Sequence, residues 1–238
     1  MSALAFDAVS KTYPGRRTAL TGVSFEVPAG SAFALLGPNR AGKTTLVKLL
    51  LSLAKPSSGR VTRLGRPAAD RSTLGRVGYM HENHAFPRYL TATEVLHFYG
   101  GVTGVPTGQL AGKAAALLER VGLSDRAREP ISRYSKGMVQ RLGLAQALVA
   151  DPDLLILDEP TEGLDLFGRQ LLRDVVRDMK SAGKTVLLVT HVLSEVDELC
   201  DEAAVIVAGK LARRGPVADL KAGGLEAALR GIYERGAA

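Results

Sequence analysis

The sequence predicts an α/β fold: a mainly parallel sheet covered by helices, with an N-terminal antiparallel β patch and a helical subdomain insertion. Three observations carry that prediction. Short apolar runs at residues 31–36, 154–157 and 185–189 read as buried strands, lacking the polar alternation of a half-solvated strand. Helical spacing follows the first two, over 43–53 and 166–181. Between them, from about 94 to 150, the pattern is helical.

The elements follow in order. Residues 4–9 and 18–27 read as two strands of the antiparallel patch, and 61–64 and 76–80 as further strands. Alanines and leucines recur at helical spacing over 108–121 and again over 136–150. Residues 203–208 and 210–213 form a terminal hairpin around Gly209. A short Ala/Gly-rich tail over 216–238 is expected to be helical in parts, without room for a further regulatory domain. With no internal repeat, linker or heptad array, one domain is expected over 1–238. It divides into a core from 1–82 and 151–215, a helical subdomain over 83–150, and the tail.

Composition narrows the function classes. The chain has 238 residues, 46% hydrophobic and 23% charged, a globular rather than a disordered balance. One cysteine, Cys200, excludes a disulfide framework and suits a reducing compartment. The net charge is +7, but the basic residues are scattered and aromatics are 5%, so no nucleic-acid partner is expected. The longest apolar candidates, 49–54 and 186–189, fall well short of the roughly 18 residues of a membrane span. Residues 1–6 are apolar but lack the basic start and cleavage pattern of a secretory signal, so none is expected. Work at a membrane would require another subunit to hold the chain there.

The glycine-rich turn after residues 31–36 is the first motif with chemistry. Gly37-Pro38-Asn39-Arg40-Ala41-Gly42-Lys43-Thr44, followed by Thr45, fits G-x-x-x-x-G-K-[ST] between a strand and a helix. Glycines let successive backbone N–H groups curl around phosphate oxygens, and the helix N-terminus adds its dipole. Lys43 is suited to the β- and γ-phosphates, and the Thr44 hydroxyl to Mg²⁺. The fold expected is therefore that of a P-loop NTPase, binding a nucleoside triphosphate with Mg²⁺.

A matching acidic strand comes later. Four apolar residues of 154–157 bury the strand, so Asp158 and Glu159 emerge at its C-terminal end, where ligands of such sheets bind. Neighbouring residues on a strand point oppositely, which frees the two acids for different tasks. Asp158 is expected to orient Mg²⁺ or its bound water, and Glu159 to act as general base or hold the attacking water in line. These two motifs alone leave kinases, helicases and GTPases open.

Tyr134-Ser135-Lys136-Gly137-Met138, continuing Val139-Gln140-Arg141, resembles the signature sequence of ABC ATPases and stands just before the acidic strand, as it does there. Gly163-Leu164-Asp165 resembles the D-loop of that family, His191 its switch histidine, and residues 78–82 the loop joining core to helical subdomain. Tyr13 stands where the family places an aromatic that stacks on adenine. The resemblance runs in order from Tyr13 to about Arg214. It implies two cassettes paired head to tail, as a homodimer or heterodimer, with two ATP molecules between them. Ser135, Lys136, Gly137 and Met138 would meet ATP in trans. His191 would contact the γ-phosphate and link it to Glu159 and the neighbour's Asp165. Glu82 would approach Mg²⁺ alongside Thr44 and Asp158.

Five residues depart from the family pattern. Arg40 replaces a usual glycine and either strains the loop, if φ is positive there, or simply points its guanidinium to solvent. Glu82 replaces a frequent glutamine, Lys136 a glycine and Met138 a glutamine, and Glu162 a frequent serine. Lys43, Asp158, Glu159 and His191 are intact, so hydrolysis is expected. The resemblance implies a peripheral ATPase on the cytoplasmic face of the plasma (inner) membrane, driving a separate membrane permease, with Glu82 and the signature pointing to export. Residues 84–90, with Phe86, Pro87 and Tyr89, form the candidate docking strip, with ordinary packing inside the helical insertion as the alternative. The alternative is a soluble ABC mechanoenzyme without a permease. Against it, no coiled-coil insert separates Lys43 from Asp158, and the chain carries one cassette.

Overall fold

Burial of the apolar runs builds two compact units: one formed by Met1–Thr73 with the stretch from Met179 onward, the other by Leu74–Asp178. The computed structural model describes residues 2–15, 17–83, 85–222 and 224. Most of the tail, residue 223 and residues 225–238, lies outside the described residues.

In the first unit β1 (Ser2–Tyr13) and β2 (Arg17–Pro28) pair antiparallel, as expected of the N-terminal patch. β3 (Ala32–Leu36) and β8 (Thr185–Thr190) are buried along their whole length and pair parallel. β9 (Glu202–Val207) lies parallel on the other side of β3, and β10 (Lys210–Pro216) closes that edge antiparallel, as the hairpin around Gly209 requires. Phe6, Phe25 and Phe33 join patch to sheet, with ring centroids 4.8 and 5.9 Å apart. α1 (Lys43–Leu50) buries Leu46, Val47, Leu49 and Leu50. It ends before residue 53, at Leu51 and a left-handed Ser52 (φ 58°).

β4 (Ser58–Arg63) is a strand, but it joins the antiparallel patch beside β1, with the two-residue β5 (Arg66–Pro67) beyond it. A buried cation fixes this corner. Arg63 is wholly buried and its guanidinium donates to the carbonyl oxygens of Leu50, Ala68 and Asp70 and to the Thr73 hydroxyl. Desolvation lowers its pKa, the Asp70 charge acting the other way. The short helix α6 (Leu193–Leu199) escaped the sequence pattern, whereas α7 (Val217–Ala222) falls in the tail expected to be helical in parts. Val196, Val217 and Leu220 pack them on Ala34, Leu36, Ala203 and Val205.

In the second unit β6 (Val77–Met80) and β7 (Leu154–Asp158) pair parallel, ending at Met80 against Leu157. Around them run α2 (Ala92–Val102), α3 (Thr107–Arg120) and α4 (Lys136–Leu148), followed by α5 (Leu166–Ser181). Thr91 opens α2 with a reciprocal capping box: its hydroxyl accepts from the Glu94 N–H, and the Glu94 carboxylate accepts from the Thr91 N–H at 2.7 Å. The parallel strands, the pairing of β1 with β2 and the helices α1 to α5 are those expected from the sequence.

Candidate functional site

The turn from Gly37 to Gly42 joins β3 to α1. A Cβ on Gly37 would collide with the Ile206 carbonyl oxygen, and one on Gly42 would fall 2.8 Å from Leu20 Cδ2 and 2.9 Å from Ala19 O. Gly42 is also left-handed, at φ 114°. The Ala41 N–H donates to Pro38 O at 3.1 Å, and the Ala41 carbonyl accepts from the Gly209 N–H at 2.9 Å, which pins the loop to the β9–β10 turn. Lys43 is buried, and its ammonium donates to Gly37 O at 2.6 Å and Pro38 O at 3.4 Å. The amine therefore lies over the loop where an anion would sit. Asn39, Arg40 and Thr44 are exposed and Thr45 half-buried. Arg40 has φ 65°, so the side chain that replaces glycine is held in the left-handed region, with its guanidinium in solvent.

His191 shares this end of the sheet. Leu36 pairs with Thr190 in the parallel ladder, so Gly37 and His191 leave neighbouring strands at the same level. The Thr190 hydroxyl donates to the Glu195 carboxylate at 2.9 Å and accepts from the Val192 N–H at 3.1 Å, which shapes the turn that carries the exposed His191. Tyr13 closes β1 opposite Arg17, half-buried, with the Lys11 ammonium 4.9 Å from its ring centroid.

In the second unit Asp158 is buried at the end of β7 and accepts from the Tyr79 hydroxyl at 3.3 Å. Desolvation raises its pKa; the Tyr79 hydrogen bond and His81 lower it, while Glu159 and Glu82 raise it. The Tyr79 phenol is in turn raised, first by burial and then by Asp158. Glu159 is half-buried and left-handed, at φ 48°, with its carbonyl accepting from Glu162 N at 3.4 Å. No group of three or more His, Cys, Asp or Glu residues is arranged for a metal ion among the described residues. One buried carboxylate near a second acid suits Mg²⁺, which keeps waters and substrate phosphates as its other ligands.

The residues that resemble the signature begin α4. Ser135 is its N-cap and accepts from the Met138 N–H at 3.2 Å; Gly137 and Met138 follow, half-buried. The Lys136 ammonium pairs with Glu162 at 2.8 Å. Asp165 caps α5, its carboxylate accepting from the Gly168 N–H at 2.7 Å. Residues 84–90 differ from expectation. Phe86 is buried and packs edge-on against Tyr99, so it presents no apolar surface, whereas Tyr89 is 80% exposed. His84 lies outside the described residues. Tyr79 and Gln140 carry roles that the sequence did not assign; a polar residue four positions after Lys136, on the same helical face, was the available signal for Gln140.

The family model described as ABC transporter matches residues 20–162. The chain belongs to the ABC transporter family. Relatives of this ABC cassette include an uncharacterized ABC transporter ATP-binding protein of Nostoc sp., 45% identical over 84% of this chain and 61% of that protein. Another is the Nod factor export ATP-binding protein I of Sinorhizobium fredii, 42% identical over 85% of this chain and 59% of that protein. The cassette thus spans about three fifths of the length of these two relatives. A solved structure of the ATP binding subunit of an ABC transporter superposes with a TM-score of 0.86, at 28% identity, over 97% of this chain and 95% of that one. The P-loop NTPase fold is that of this neighbour, and the ATPase class expected from the sequence is that of the family. No helix among the described residues is long and apolar enough to cross a membrane.

Proposed function

We propose that the cassette binds ATP with Mg²⁺, pairs head to tail with a second cassette, and hydrolyses ATP to drive a separate membrane permease, in the export direction. The observation that carries this reading is the register of β3 and β8, which sets the Gly37–Gly42 turn beside His191. The backbone amides of the loop and Lys43 hold the phosphates, and Thr44, Thr45, Pro38, Asn39, Arg40 and Ala41 complete the loop. Tyr13 stacks on adenine. Thr44, Asp158 and Glu82 hold Mg²⁺, which offsets phosphate charge and orients the nucleotide. Glu159 accepts a proton from the water that attacks the γ-phosphorus, the bond to the β-phosphate oxygen breaks, and ADP and phosphate leave. His191 contacts the γ-phosphate, and Asp165 of the facing cassette reaches it across the pair. Ser135, Lys136, Gly137 and Met138 close on the neighbour's ATP, so hydrolysis reopens the pair.

The Sinorhizobium fredii relative is named for export, which supports that direction. The cassette sits peripherally on the cytoplasmic face of the plasma (inner) membrane. Tyr89, with Phe98 and Val102 on α2, leaves apolar side chains exposed in the helical unit and supports docking of the permease there. Glu159→Gln tests the reading. Turnover should fall about 10²–10⁴-fold, with an ATP-bound pair accumulating by size-exclusion chromatography; unchanged hydrolysis would overturn the role of Glu159. Purification from membranes should bring a permease with the cassette.

A further inference from the structure

Gln140 lies one helical turn beyond Lys136 on α4 and is only 3% exposed. Its amide nitrogen donates to two carbonyl oxygens, Glu82 O and Glu162 O, each at 3.1 Å. A flipped amide would set Oε1 against those same two oxygens, so only one orientation is possible. Oε1 is buried and finds no hydrogen-bond partner among the described residues. A buried amide with both donors engaged and its acceptor unmatched is present for its donors, since an apolar side chain of the same size would otherwise fit better.

One carbonyl follows β6, the strand paired with β7, and the other follows the acidic pair at the end of β7. Glu82 follows β6, whose last residue, Met80, pairs with Leu157 beside Asp158. Glu162 stands three residues after Glu159, and its N–H donates back to Glu159 O. The Lys136 ammonium holds the carboxylate of Glu162 while Gln140 holds its carbonyl, so two side chains one turn apart on α4 grip a single residue.

The geometry points to Gln140 as a positioning residue that fixes the loop of Glu82 and the loop after Glu159 at a set spacing from the signature helix. Because Ser135 caps α4, contact of Ser135 with the neighbour's nucleotide reaches both loops within about one to two turns of helix. This inference rests on the roles given above to Glu82, Glu159 and Ser135.

Gln140→Met keeps the volume and removes both donors. In the full chain, kcat should fall about 10-fold or more and half-saturating Mg²⁺ should rise, while binding of a fluorescent ATP analogue without Mg²⁺ stays within about twofold. Loss of packing alone would lower Tm and the active fraction without moving the Mg²⁺ dependence, and that outcome overturns the proposal, as does an unchanged kcat. If the variant does not fold, the wild-type protein supplies the test by NMR. The Gln140 side-chain amide protons should exchange slowly with solvent, and fast exchange overturns the tie. Glu159→Gln, measured alongside, separates the two readings: wild-type turnover there removes the role of Glu159, while amide protection and the Mg²⁺ shift still decide the role of Gln140.

Discussion

Lys136 and Glu162 form an ion pair, Nζ to Oε1 at 2.8 Å, and the stem of Lys136 lies where a Cβ on Gly163 would fall, 2.8 Å from Cε. Both residues depart from the ABC signature and D-loop patterns, and the structure makes them partners. A glycine at position 136, as the resemblance to the signature would lead one to expect, would remove this cation from Glu162.

The pair is exposed on both sides, 62% and 54%, so its contribution to stability is at most about 1 kcal/mol and shrinks with salt. Glu162→Ala should shift urea unfolding by no more than that at low ionic strength, and by less at high. A Lys136→Glu, Glu162→Lys double exchange should recover whatever the single changes lose.

Ser135 has a structural task as well as its proposed task at phosphate. Ser135→Ala removes the cap on the Met138 N–H and should cost about 1 kcal/mol of stability along with turnover. Ser135→Asp keeps a capping oxygen but faces the neighbour's γ-phosphate with a charge. It should melt like the wild type and fail to hydrolyse ATP, a split that thermal melts and phosphate release will read.

Arg40 occupies φ 65°, a conformation that costs a non-glycine residue about 1–2 kcal/mol, partly offset by the greater unfolded-state freedom of glycine. Arg40→Gly should therefore raise the unfolding free energy by up to about 1 kcal/mol in chemical denaturation.

Burial raises the pKa of Asp158 above its unfolded value near 3.8. The folded state then holds the proton more tightly than the unfolded state. The contribution of Asp158 is greatest below the unfolded pKa and is lost as pH rises through the folded one. At neutral pH its charge destabilises the nucleotide-free protein. Asp158→Asn, which keeps an acceptor for the Tyr79 hydroxyl, should raise Tm at pH 7, with the gain vanishing in acid, and should abolish hydrolysis. Melting curves across pH check the sign.

Local chemistry alone determined the strands at 31–36, 154–157 and 185–189, the loop from Gly37 to Thr44 and the helix after it, because uninterrupted apolar runs and glycine turns dictate their own backbone. The family was legible for the same reason: its motifs are short, contiguous and in order. What the chain order could not express was contact between distant residues. β4 turned to the antiparallel patch because Arg63 and β1 hold it there, and Phe86 turned inward because Tyr99 offers it a face. Gln140 acquired its two carbonyls only when α4, the turn after β6 and the turn after β7 met, since hydrogen bonds across 58 and 22 residues have no local signature.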